Sequence, residues 1–212
     1  NNVTIIEDDI FYNCNSLNKI IIGDKVSLIP ANAFRGCSGL TSITIPNSVT
    51  TIGVSAFEYC SGLTSLIIPN SVTSIADNAF YGCSGLQEIR SKKQSPAPYI
   101  QGGGTFTGVS KSIPLYIPEG TYSTYSTQYG WKDFTNIREV YNKTTYINGI
   151  TYALNKDNVV VVYMADSDIK NVEIASSVEF DEIEYPVTTI IENSFSMSKQ
   201  IETLIIGDNI KS

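Results

Sequence analysis

Along residues 49–69 the apolar positions fall in a fixed order, Val-x-x-Ile-x-x-x-Ala-Phe-x-x-Cys-x-x-Leu-x-x-Leu-x-Ile-Pro, and the order returns every 23 residues. Phe11, Phe34, Phe57 and Phe80 keep this step, as do Cys14, Cys37, Cys60 and Cys83, and Leu17, Leu40, Leu63 and Leu86. Such self-similarity means one supersecondary unit per period. Each unit is too small to bury its apolar ladder alone, so the units must stack into a solenoid. Within a period, Ile43-Thr44-Ile45 alternates apolar and polar, which predicts a short strand with its first and third residues inward. Pro46-Asn47 and Pro69-Asn70 end the strand in a turn, with Gly23-Asp24 in the same slot. Residues 53–59 show no alternation and predict one short helical turn carrying Phe57 inward. The expected fold is a parallel β-sheet on one side with short helices or irregular coils on the other.

The regular block covers residues 1–92. In 93–141 a degenerate coil is still readable, because Thr105-Phe106-Thr107-Gly108-Val109 stands 26 residues after Ala79-Phe80-Tyr81-Gly82-Cys83. The three extra residues are expected within 96–104, where Gly102-Gly103-Gly104 reads as a flexible loop; no Lys-Ser/Thr follows at the spacing of a phosphate-cradling loop. Tyr122, Tyr125 and Tyr129 at i, i+3 and i+7 predict one face of a short helix, and Trp131, Phe134 and Ile137 follow it. Residues 142–165 change period: Asn148-Gly149 between two apolar runs signals a hairpin, and residues 159–163 add a third strand after a Lys156-Asp157-Asn158 turn. This β-meander is read as the linker to a second, truncated block, 166–212. There Val187, Ile190, Phe195, Ile201, Leu204 and Ile206 reproduce the spacing of Val49, Ile52, Phe57, Leu63, Leu66 and Ile68. Ser198 takes the cysteine slot and Ser194 the alanine slot. Val3, Ile6 and Phe11 align with Val26, Ile29 and Phe34, and Ile210 with Val72, so the chain opens and closes partway through coils. The expectation is that further chain or other molecules cover these edges. End-to-end or edge self-association is one route, with valine-rich 159–163 as a candidate pairing edge.

The coil IPNSVTSIADNAFYGCSGL at residues 68–86 resembles the repeats of the BspA-like leucine-rich-repeat surface proteins. Residues 115–137, LYIPEGTYSTYSTQYGWKDFTNI, resemble the segment that closes a repeat block in the same family, which implies that its aromatics form a hydrophobic plug. The resemblance implies a leucine-rich-repeat solenoid, here with two repeat blocks joined by the meander. It also implies a non-enzymatic bacterial cell-surface or secreted protein, extracellular in location, that adheres to host matrix or other cells by protein–protein contact. A structural spacer within a larger surface protein is the competing role. A glycan-binding module in the aromatic segment 99–134 is another, built from Tyr99, Tyr116, Tyr122, Tyr125 or Trp131.

Charge and composition narrow the chemistry. A net charge of −7 leaves no basic footprint for nucleic acid. The chain contains no histidine, which removes Ser-His-Asp and Cys-His mechanisms and His-ligated zinc together. The longest purely apolar run, residues 159–165, is far short of the roughly 20 residues a membrane helix needs. The opening Asn1-Asn2-Val3-Thr4 has neither an initiator Met nor a leader, which reads as a processed product or a fragment of a larger protein. Cysteines stacked at the strand spacing of about 4.7–4.9 Å keep their Cβ atoms farther apart than the roughly 3.5–4.5 Å of a disulfide, so four buried free thiols are expected. A ladder of thiols is not a tetrahedron, so no zinc is expected, and no other cofactor. Asp166, Asp168, Glu173, Glu179, Asp181, Glu182 and Glu184 face only Lys170 nearby, at a spacing that fits no calcium loop and across no evident cleft. They read as a solvated acidic face, and no catalytic residue is assigned. The functional surface is expected on the sheet face, where alternation turns Lys19, Ile21, Ser42, Thr44, Ser65, Ile67, Glu88 and Arg90 outward as a long, shallow platform for a protein or a glycan.

Overall fold

The computed structural model describes residues 3–155, 160–166, 168–181, 183–191, 194, 195, 198, 200–207, 209 and 210. The chain divides between Val140 and Tyr141 into two compact units.

In the first unit each coil supplies a longer strand and a two-residue one. These are β1 (Lys19–Ile21) and β2 (Leu28–Ile29), β3 (Ser42–Thr44) and β4 (Thr51–Ile52), β5 (Ser65–Ile68) and β6 (Ser74–Ile75), and β7 (Glu88–Ser91) and β8 (Tyr99–Ile100). Then follow β9 (Leu115–Pro118), α1 (Tyr122–Thr127) and β10 (Ile137–Val140). All pairings are parallel and in repeat register: Ile43 opposes Ile20, Leu66 opposes Ile89, and Ile52 lies between Ile29 and Ile75. The first sheet runs β1-β3 and β5-β7-β9-β10, and the second runs β2-β4-β6-β8. Between β3 and β5 the stack is bridged by the Thr64 N–H, which donates to the Thr41 carbonyl at 3.2 Å.

Between the sheets lies one continuous apolar core. Its spine is the phenylalanine ladder, stacked nearly parallel at centroid distances of 5.4, 5.2, 5.3 and 5.6 Å from Phe11 through Phe34, Phe57 and Phe80 to Phe106. Polar repeat positions have their own structural work: Thr50 and Thr73 hydroxyls donate to the Ser27 and Thr50 carbonyls one coil back. The segments carrying the ladder are chains of turns rather than the short helices expected, held by inter-coil bonds such as Phe57 N–H to the Ala79 carbonyl at 2.8 Å.

The degenerate coil continues the stack. Ser74 opposes Tyr99 and Phe80 stacks on Phe106, so two of the three extra residues precede Tyr99 and the third lies between Ile100 and Phe106. The triglycine is packed rather than flexible. The Gly104 N–H donates to Asp77 Oδ1 at 3.0 Å, and a Cβ at Gly102 or Gly104 would collide with Asp77 or Asn78. Helix α1 ends at Thr127, so Tyr129 lies outside it and is exposed, while Tyr125 turns inward. Tyr125, Trp131 and Phe134 close the core against Phe106.

The expectation of four buried thiols needs one correction. Cys37, Cys60 and Cys83 are buried, but Cys14 is exposed, because its coil has a neighbour on one side only. Nor do the buried thiols only fill space: Cys37, Cys60 and Cys83 Sγ each lie 3.1 Å from the carbonyl of Phe11, Phe34 and Phe57. Burial pushes the Cys60 thiol well up and the Cys83 thiol up to about 12, so the folded state favours the neutral form. Their stabilisation is therefore complete below the ordinary thiol pKa near 9 and is lost as pH rises from there toward 12, at up to about 1.4 kcal/mol per pH unit per group. Unfolding midpoints measured from pH 8 to 11 should fall steeply for the native chain and less steeply for the Cys60→Ser, Cys83→Ser variant; equal slopes would refute the assignment. With a thiol reagent at pH 8, Cys14 should react in the folded chain and all four cysteines after denaturation.

The second unit comprises β11 (Lys143–Ile147), β12 (Ile150–Leu154), β13 (Val160–Ala165), β14 (Asn171–Glu173), β15 (Ser177–Phe180), β16 (Ile183–Ile190) and β17 (Thr203–Ile205). The hairpin turns at Asn148-Gly149, both at positive φ, as the Asn-Gly pair predicts. Its sheet has the order β11-β12-β13-β16-β15, with β13 and β16 parallel. The meander strands thus belong to this unit's sheet. Flanked by β12 and β16, residues 160–165 offer no free edge, which corrects the reading of that segment as a pairing edge; Val159 and the Lys156-Asp157-Asn158 turn lie outside the described residues. A parallel pair, β14 with β17, completes the coil. Ser198 and Ser194 in their repeat slots both donate to backbone, Ser194 Oγ to the Val162 carbonyl at 2.7 Å and Ser198 Oγ to that of Asp166 at 2.7 Å. Leu204 and Ile206, expected inward, are exposed, because β17 has a partner on one side only.

Candidate functional site

The outer face of the first sheet is set by strand alternation. Ile20, Ile43, Leu66 and Ile89 point into the core, so the residues on either side of each point out. The register brings the eight expected residues together in two rows: Lys19 opposes Ser42 and Ile21 opposes Thr44, then Ser65 opposes Glu88 and Ile67 opposes Arg90. Ile21 is 76% exposed and Ile67 41%.

The row continues onto two residues not assigned to it from the sequence. Tyr116 on β9 opposes Arg90, and Arg138 on β10 opposes Tyr116. The Arg90 guanidinium carbon lies 4.0 Å from the Tyr116 ring centroid, while Glu88 holds the same guanidinium through bonds of 2.9 and 3.1 Å. Arg138 Nε donates to Asn136 Oδ1 at 2.8 Å. The face thus passes from an apolar end at Ile21 and Ile67 to a cationic, aromatic end. Alternation in Leu115-Tyr116-Ile117 was the signal for Tyr116. Arg138 had none, because its strand follows α1 and carries no repeat motif.

The aromatic segment does not assemble into a platform. Trp131 and Tyr125 are fully buried, with Trp131 Nε1 donating to the Pro98 carbonyl at 2.8 Å and the Tyr125 hydroxyl to that of Lys93 at 2.9 Å. Burial pushes the Tyr125 phenol up to about 12. Tyr99, 62% exposed, lies on the second sheet, whereas Tyr116 lies on the first.

The late carboxylates are dispersed. Asp181 pairs with Lys143, Asp166 accepts from the Tyr146 hydroxyl, Glu184 accepts from Ser177, and Glu173 and Glu179 are exposed; Glu182 lies outside the described residues. Lys170, the expected partner of the cluster, pairs with Glu202 at 3.3 Å. Among the described residues no three His, Cys, Asp or Glu side chains converge to hold a metal ion, and no helix is long and apolar enough to cross a membrane.

A family model described as the BspA type leucine rich repeat region matches residues 4–100 in six copies. No curated protein matches. Two solved structures align along most of the chain. A leucine rich cell surface protein from Faecalibacterium prausnitzii is 21% identical with a TM-score of 0.38, covering 96% of this chain and 58% of that one. A leucine-rich repeat protein from Bacteroides ovatus is 20% identical with a TM-score of 0.34, covering 95% and 57%. This chain therefore spans less than three fifths of either. Residues 4–100, with their 23-residue period and stacked phenylalanines, are a BspA-type leucine-rich-repeat region.

Proposed function

We propose that the chain is a non-enzymatic interaction module of an extracellular or cell-surface bacterial protein, binding another protein through the outer face of its first sheet. The observation that carries this reading is the aligned row from Ile21 to Arg138. Two isoleucines there stay in water although their neighbours Ile22, Leu66 and Ile68 are buried, and a repeat scaffold aligns such side chains at fixed spacing. Adhesion to host matrix or to other cells is the setting the family resemblance suggests.

The test is a binding screen of the chain against immobilised matrix proteins beside the Ile21→Glu, Ile67→Glu variant. Both positions are exposed, so the variant is expected to keep its unfolding midpoint, and binding should weaken about tenfold or more. A folded variant that keeps full affinity for a captured protein overturns the face assignment. A folded native chain that captures nothing favours the spacer role.

A further inference from the structure

We infer that the ligand recognised by this face is an acidic protein segment, anchored at Arg90, Tyr116 and Arg138. The inference rests on the reading of the first sheet as the binding face and adds the chemistry of the partner. Three observations carry it.

Charge is the first. Residues 141–212 hold eleven acids and five bases, and the whole chain is −7, yet the outward positions of β7, β9 and β10 run against that trend. Ser91 is buried, so alternation turns Lys92 out beside Arg90, and its N–H extends the ladder by donating to the Ile68 carbonyl at 2.8 Å. Arg90 and Arg138 flank Tyr116, with Lys92 two residues beyond Arg90, against Glu88 within the patch and Glu119 in the turn after β9.

Pre-organisation is the second. Arg90 is fixed by Glu88 and by the Tyr116 ring, and Arg138 by Asn136, so little side-chain freedom remains to be lost when a carboxylate arrives.

The third is the apolar continuation. Ile67 directly opposes Arg90. At about 4.8 Å per coil the row from Ile21 to Arg138 is about 24 Å long, the span of roughly seven extended residues. A partner placing carboxylates on the arginines and apolar side chains on the isoleucines is a polypeptide; a sulfated or sialylated glycan would leave Ile67 and Ile21 without contacts.

The probe is an immobilised random glutamate–tyrosine copolymer, with heparin and polysialic acid as parallel surfaces and the full chain as analyte. The native chain should bind the copolymer despite its own negative charge, more weakly as salt rises. The Arg90→Gln, Arg138→Gln variant, which keeps the aliphatic stems, should lose about tenfold or more, while Lys25→Gln, Lys132→Gln should lose little. Unchanged melting of the double arginine variant establishes that it folds. No copolymer binding overturns the inference. Arginine-dependent capture by heparin or polysialic acid alone overturns it in favour of a glycan, and salt-sensitive self-association lost in the same variant overturns it in favour of a second copy. If a matrix protein is captured through Ile21 and Ile67 but not through Arg90 and Arg138, the inference falls while the face assignment stands. If neither pair matters, the face assignment falls too.

Discussion

Replacing Phe57 by Ala is expected to destabilise the first unit by about 3–5 kcal/mol, the usual range for deleting a buried ring from a close-packed core. The ring is fully buried at the middle of the ladder, with Phe34 and Phe80 stacked on its two faces at 5.2 and 5.3 Å. Its loss opens a cavity shared by three coils and removes two ring–ring contacts, each worth about 0.5–1.5 kcal/mol beyond area alone. Because a solenoid holds together through nearest-neighbour interfaces, the damage falls on the two interfaces of this coil. Phe11→Ala is the internal comparison: Phe11 is half-buried with one stacked neighbour, so its loss should cost less than half as much. Denaturant unfolding followed by far-UV circular dichroism and by the single Trp131 separates two modes of failure. Coincident transitions with an unchanged slope mean that the unit still unfolds together. An earlier circular-dichroism transition means that coils before Phe57 have uncoupled. A Phe57 variant within about 1 kcal/mol of the native chain, or one no worse than Phe11→Ala, would show that the ladder is not the spine of the core.

What was legible in the sequence is what the period repeats. Inward residues, turns, the continuation at Phe106 and the outward set on β1 to β7 each follow from positions that recur, since stacking forces equivalent residues into equivalent places. The unread parts break the period or depend on which coil a residue occupies. Cys14 carries the repeat residue yet is exposed, because burial in a solenoid comes from the adjacent coil. Arg138 joins the face through a register set after α1, which no spacing announces. In the second unit, β13 and β14 form a coil layer with no phenylalanine or cysteine between them, so the motif that identifies a coil is missing while its pairing with β16 and β17 remains. Ser194 and Ser198 explain how divergence was tolerated there. The hydroxyl of Ser198 makes the inter-coil backbone bond that cysteine makes elsewhere, so the slot selects a small donor rather than a hydrophobe.

Trp131→Ala is expected to match the Phe57 change, at about 3–5 kcal/mol, for a different reason. Phe106 is the last stacked ring of the ladder, and its outer side is covered not by another coil but by Trp131 at 5.2 Å and Phe134 at 5.4 Å. Tyr125 packs edge-on against Trp131, and its hydroxyl ties the helix to Lys93 and Ser91. Removing the indole therefore uncovers the end of the core and loosens α1 with it. Trp131→Phe separates packing from hydrogen bonding. It keeps most of the ring but deletes the donor to the Pro98 carbonyl, which still accepts from Gln128 Nε2 at 3.0 Å. With the acceptor satisfied, the Phe variant should lose only about 1–2 kcal/mol, far less than the Ala variant. In the native chain Trp131 fluorescence should resist quenching by iodide and stay unchanged with any glycan present, as a buried closing residue requires. Ready quenching, or Ala and Phe variants equally close to the native midpoint, would return this segment to the role of an exposed aromatic platform.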